Sequence, residues 1–199
     1  MTELLGVLAG FGLSWAAGLN AYIPALATAL LARFTDVVTL PDGFEFLESP
    51  WAIGALVVLL VVEEVLDKVP VVDHVNDAIQ TFIRPASGAL VFAAGSEGVL
   101  ENHTWAALAA GGATALAVHI VKALGRGVVN TTTAGIGAPV ASVAEDVLSV
   151  GASLAALLMP ILVLGFVGVF VWMIYVVWDR RRLRRRVAAS SPDVPLGGT

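Results

Sequence analysis

The sequence predicts an all-α, polytopic membrane helix bundle of about six spans, and three observations carry that prediction. Of 199 residues, 58% are hydrophobic and only 14% are charged, whereas soluble domains carry about 25% charged residues. The apolar residues gather into runs near the ~20 residues that a bilayer core requires of a helix. The last run, Leu154 to Trp178, stops at Arg180, Arg181, Arg182, Leu183, Arg184, Arg185 and Arg186. Such a junction halts a final span at a cytoplasmic surface, because positive residues are retained inside.

The first segment runs from Leu4 to Arg33. No Lys or Arg precedes its apolar stretch, so it lacks the charged start of a cleavable signal peptide and is expected to remain in the mature protein. Gly6, Gly10, Ser14 and Gly18 recur every four residues, leaving a smooth stripe where another helix can approach closely. Pro24 lacks an N–H and displaces the carbonyl of Asn20, so the backbone opens beside an amide side chain. That opening reads either as a polar site or as a kink.

The second segment, Trp51 to Asp67, ends in Glu63, Glu64, Asp67 and Lys68. The third, Asp73 to Gly95, is interrupted by Asp73, Asp77 and Arg84. On a helix, Asp73, Asp77, Thr81, Arg84 and Gly88 fall within ~80° of one another. Arg84 lies halfway along its segment, where insertion costs ~2.5–3.5 kcal/mol per charge, so it needs a carboxylate or carbonyl partner. The fourth segment, Trp105 to Leu124, places His119 and Lys122 one turn apart. The fifth, Asn130 to Ser149, is softened by three threonines, Gly135, Gly137 and Pro139, and carries Ser142, Glu145 and Asp146. Asn130, Thr133, Gly137 and Ala141 share one small face that either lines a pathway or packs closely. The third and fifth segments are the weakest spans and are candidates for broken or re-entrant helices. The sixth is Ser153 to Trp178.

This division gives a membrane domain over residues 1–179 and a basic patch with a disordered tail over 180–199, because the tail holds too little apolar surface to fold. Six spans place both termini in the cytoplasm, in a cell (inner) membrane. Loop charge agrees: the outer loops, Thr35 to Pro50 and Ser96 to Thr104, hold six acids and no Lys or Arg, while Lys68, Lys122 and Arg126 fall in inner loops. Sliding the chain by 54 positions aligns Trp51 with Trp105, Lys68 with Lys122, Asn76 with Asn130 and Pro85 with Pro139. This would be a parallel repeat of helices 2–3 and 4–5, a symmetry that transporters use.

Intramembrane ionisable residues mark functional sites, so Asn20, Glu63, Glu64, Asp67, Asp73, Asp77, Arg84, His119, Asn130, Thr133, Glu145 and Asp146 are the candidate ion or substrate pathway. His119 would relay protons only with an acid such as Glu64 nearby. Asp73 and Asp77, four residues apart, are the only pair proposed for a metal. No cysteine is present, and no zinc-ligand spacing, Ser-His-Asp order or phosphate-binding glycine loop appears, so no cofactor is implied.

The Gly18 to Pro24 element, the stretch Arg84-Pro85-Ala86-Ser87-Gly88, and the threonine-rich segment leading to Pro139, Ser142, Glu145 and Asp146 together resemble a bacterial membrane family, DUF4126. The resemblance covers residue 5 to about 178. It implies membrane location and assigns neither substrate nor catalytic residue.

The expected function is a small transporter or channel passing an ion or solute through the polar residues. One alternative is a non-catalytic scaffold or lipid sensor, and another is a metal-dependent enzyme acting on lipid-linked phosphate. The arginine patch, Arg180 to Arg186, is expected to meet anionic headgroups of the bilayer. A homodimer fits the small-residue stripe, and nucleic acid is not an expected partner.

Overall fold

The structure, a computed structural model, describes residues 2–67, 72–96, 103–134 and 136–165, with 168, 169, 171, 172 and 175. For 2, 3, 72–75 and 77 it describes the backbone alone. Among these residues the chain is helical, with no strand. Six α-helices form: α1 (Thr2–Leu19), α2 (Ile23–Phe34), α3 (Pro50–Leu66), α4 (Val72–Gly95), α5 (Thr104–Thr133) and α6 (Ala138–Leu158). Single 3-10 turns lie at Glu45–Glu48 and Pro160–Leu162. Residues 1–163 make one compact unit and 164–199 another, whose described residues are helical. The arginine patch, Lys68 and the side chains of Asp73 and Asp77 lie outside the described residues.

The first expected span is corrected. Leu4 to Arg33 is two helices folded back on each other, because Pro24 sits in the first turn of α2, where its missing N–H breaks nothing. The directions follow from α4. Gly18, Ser14 and Gly10 of α1 meet Arg84, Gly88 and Phe92 in turn, whereas Ala21, just before α2, and Ala29 of α2 meet Ser87 and the cluster holding Ala94. So α1 runs antiparallel to α4 and α2 parallel to it. The start of α1 and the end of α2 share one end of the bundle, and their turn, Asn20 to Tyr22, is a tip inside it.

The fifth expected span is corrected as well. Its first residues belong to α5, which runs 30 residues without a break. The chain turns only at Ala134, the one described non-glycine residue with a positive φ, 51°. There Thr133 Oγ1 accepts from the Gly137 N–H at 2.9 Å, and Pro139 starts α6. Lys122 and Arg126 are therefore helical and buried, not charges of an inner loop. The third segment is one helix that continues through Pro85. A shift of 54 places the start of α4 on Arg126, well inside α5, so the two aligned stretches differ at their connections. Trp51 and Trp105 nonetheless occupy equivalent exposed positions at the starts of α3 and α5.

Glycines permit the tightest crossing. Carbons added to Gly88 or Gly111 would each overlap the facing backbone of the other helix, so α4 and α5 meet main chain to main chain. The α1 stripe is used within the chain: Gly10 faces Phe92, Ser14 donates to the Gly88 carbonyl at 2.8 Å, and Gly18 lies against Val118 and Ala115. The face that argued for a homodimer is thus covered.

Beside an apolar core that includes Leu13, Val91 and Phe92, the bundle buries charges and exposes aliphatic side chains. Arg84, Glu63, Asp67, Lys122 and Arg126 are all buried, whereas Val58, Val61 and Val65 of α3, Leu124 and Val128 of α5, and Val140 and Val147 of α6 are exposed. Among the described residues two helices, α5 and α6, are long and apolar enough to cross a membrane.

Candidate functional site

A helix that ends inside a bundle leaves carbonyls without intrahelical partners. The last carbonyls of α1 find cations: Arg84 Nη1 donates to the Gly18 carbonyl at 3.0 Å and Lys122 Nζ to that of Leu19 at 2.6 Å. Positive charge at a helix C-terminus also complements its dipole. Each cation must in turn be balanced, since a lone buried charge is costly.

The balance comes from acids of α3 and α6. Arg84 Nη2 donates to Glu63 Oε1 at 2.9 Å, with both side chains at least 99% buried. Lys122 Nζ lies 3.0 Å from Glu145 Oε2 and 3.7 Å from Asp67 Oδ2. Arg126 Nη2 reaches Asp67 Oδ2 at 2.8 Å and Glu145 Oε2 at 2.6 Å. Asn76 Nδ2 completes Asp67 by donating to Oδ1 at 2.6 Å. Acids and cations from α3, α4, α5 and α6 therefore converge on the tip of the α1–α2 hairpin.

Asn20 holds the tip itself. Its Oδ1 accepts from the backbone N–H groups of Tyr22 at 3.0 Å and Ile23 at 3.2 Å, which starts α2. Its Nδ2 then faces outward, to Asp146 Oδ1 at 3.0 Å and Glu64 Oε1 at 3.5 Å. Of the sequence candidates, Asn20, Glu63, Glu64, Asp67, Arg84, Glu145 and Asp146 are brought together. His119 is buried, with Nε2 3.1 Å from Thr81 Oγ1. Asn130 lies one turn beyond Arg126 on α5, its Oδ1 buried without a hydrogen bond. Thr133 is exposed; its hydroxyl donates to the Val129 carbonyl of α5 and accepts from Gly137 in the turn into α6.

Sequence reading gave Lys122 only a minor place and put Arg126 in a loop. A signal was present, because His119, Lys122 and Arg126 stand at i, i+3 and i+7 and share a helix face. The buried polar stripe of α4 is Asn76, Gln80 and Arg84, with Thr81 exposed, one residue round from the expected face. Among the described residues, no three His, Asp or Glu side chains are grouped to hold a metal ion.

A family model described as "Domain of unknown function (DUF4126)" matches residues 7–180. No curated protein and no solved structure matches the chain.

Proposed function

The chain belongs to the DUF4126 family, which carries no activity to inherit, and we propose from its own residues that it is a multi-pass membrane protein passing an ion or small polar solute through the charged cluster. One observation carries the proposal: acids and bases from four helices are buried at a hairpin tip while the bundle exterior is valine-rich. Charges are tolerated at such depth when they face protein or a hydrated path, and there they mark ion and substrate routes. Helix ends at a broken segment supply the partial charges that transporters use to bind solutes.

The positive-inside bias of Arg180 to Arg186 puts that patch in the cytoplasm of a cell membrane, in contact with anionic headgroups. By the same bias the segment between Phe34 and Pro50, acidic and without Lys or Arg, belongs outside, with the exposed Trp51 and Trp105 at its interface. Because α1 and α2 fold back on each other, this reading sets the start of α1 on that outer side too, in place of the cytoplasmic N-terminus expected from six full spans. Glu63 lies 12 residues past Trp51, about 18 Å deeper, so the cluster occupies the cytoplasmic half.

A scaffold is the second reading, favoured by the closure of Arg84, Lys122 and Arg126 onto acids and α1 carbonyls within one chain. Flux separates the two. Purified protein in liposomes is expected to move protons or monovalent cations, and Glu64→Gln, Asp77→Asn and Arg84→Ala variants that elute as folded protein are expected to slow uptake about tenfold or more. Uptake unchanged in all three overturns passage and leaves the scaffold.

A further inference from the structure

We propose that Glu64 and Asp146, drawn together by the Asn20 amide, are the proton-carrying pair of this cluster and hold one proton between their carboxyl oxygens. The proposal rests on the reading of the cluster as a passage and names the proton as its ion.

The orientation of Asn20 is fixed by the backbone. Its oxygen is occupied by the Tyr22 and Ile23 N–H groups, so only N–H donors face the acids. One nitrogen reaches both carboxyls, 3.0 Å from Asp146 Oδ1 and 3.5 Å from Glu64 Oε1, so the two acids lie side by side on one donor. Two ionised carboxylates side by side repel, and neither has a donor to offer the other. A proton on one supplies it: a new O–H bond forms on one carboxyl and donates to the other, and release breaks that same bond. A metal ion is poorly served, because the amide turns its donors and not its oxygen toward the site.

The surroundings divide the labour. Glu63 on α3, Asp67 at the end of α3 and Glu145 on α6 are engaged by Arg84 on α4 and by Lys122 and Arg126 on α5. His119 on α5 is engaged with Thr81. A second, independent feature points to a proton route. Ser142, 1% exposed, has a hydroxyl without a hydrogen-bond partner. It stands one turn before Asp146 on the α6 face that also carries Ser149, whose hydroxyl donates to the Ala16 carbonyl of α1. That face is aimed at α1, so the Ser142 hydroxyl continues the line past the tip. A hydroxyl both donates and accepts, as a relay requires.

Infrared difference spectra of the protein in liposomes, taken between acid and alkaline buffer, read the pair directly. A titrating protonated-carboxyl band is expected in the unaltered chain and is expected to vanish in both Glu64→Gln and Asp146→Asn. Asn20→Ala is expected to shift its midpoint by about one pH unit or more. Where a variant does not fold, carbon-13 in the side-chain carboxyl of aspartate must move the band of the unaltered protein. No titrating band, a band that survives either acid variant, or a band indifferent to labelled aspartate overturns the proposal. Loss of the band with unchanged proton flux removes the pair from the passage and overturns it as the carrier. A band with the expected losses but no flux in any form refutes passage alone and leaves the shared proton in place.

Discussion

Replacing Arg84 with methionine is expected to destabilise the folded protein by about 3–5 kcal/mol, the usual result of removing one partner of a buried ion pair. Glu63 would keep a carboxylate in the interior with its Arg partner gone, and the Gly18 carbonyl would lose the donor that ends α1. The double variant Arg84→Met/Glu63→Leu is expected to be more stable than Arg84→Met alone. It removes the stranded charge and leaves chiefly the Gly18 carbonyl, an unmet acceptor costing about 1–3 kcal/mol. Thermal unfolding in detergent of the two single variants and the double completes the cycle. Losses that simply add would mean that the pair is not coupled across the bundle.

Gly111→Leu is expected to abolish folded protein. The carbon added to Gly111 falls on the Gly88 carbonyl oxygen and on Phe92 Cβ, and a helix backbone cannot withdraw as a side chain can. Even Gly111→Ala is expected to lose more than the ~1–3 kcal/mol of ordinary overpacking. Gly54→Leu and Gly125→Leu are the controls, since a carbon added at either meets nothing within 4 Å, and both are expected to elute and melt like the unaltered chain. Normal melting of Gly111→Leu would show that α4 and α5 do not cross there.

Composition and run length gave the helical class, and the Asn20 to Pro24 element gave the break. The direction after the break was not legible. A proline four residues after an asparagine is compatible with a kinked span or with a reversal, and what decides between them is tertiary: Ser87 waiting for the Ala21 carbonyl and Ala29 packing with Leu47 and Ala94. The end of α5 was misplaced for a related reason. Gly125, Gly127 and three threonines weaken local helix preference, yet Lys122 and Arg126 gain enough from Asp67 and Glu145 to hold the helix to Thr133. Partners 59 and 19 residues away for Arg126 leave no trace in a local window. The acids, by contrast, were legible as residues too costly to leave in hydrocarbon.

The hairpin is the claim on which the cluster depends, and the absence of cysteine from the chain allows a distance measurement with no background labelling. Leu4 and Phe34 are 63% and 71% exposed and accept spin labels as Leu4→Cys/Phe34→Cys. Thirty residues of continuous helix would separate them by about 45 Å, whereas two antiparallel helices packed ~8–10 Å apart bring them within about 25 Å, labels included. Electron–electron double resonance in liposomes is expected to give the short distance. A single population near the long one would straighten α1 and α2 into one rod and carry Asn20 away from α2's return, contradicting the folded-back tip on which the charges meet.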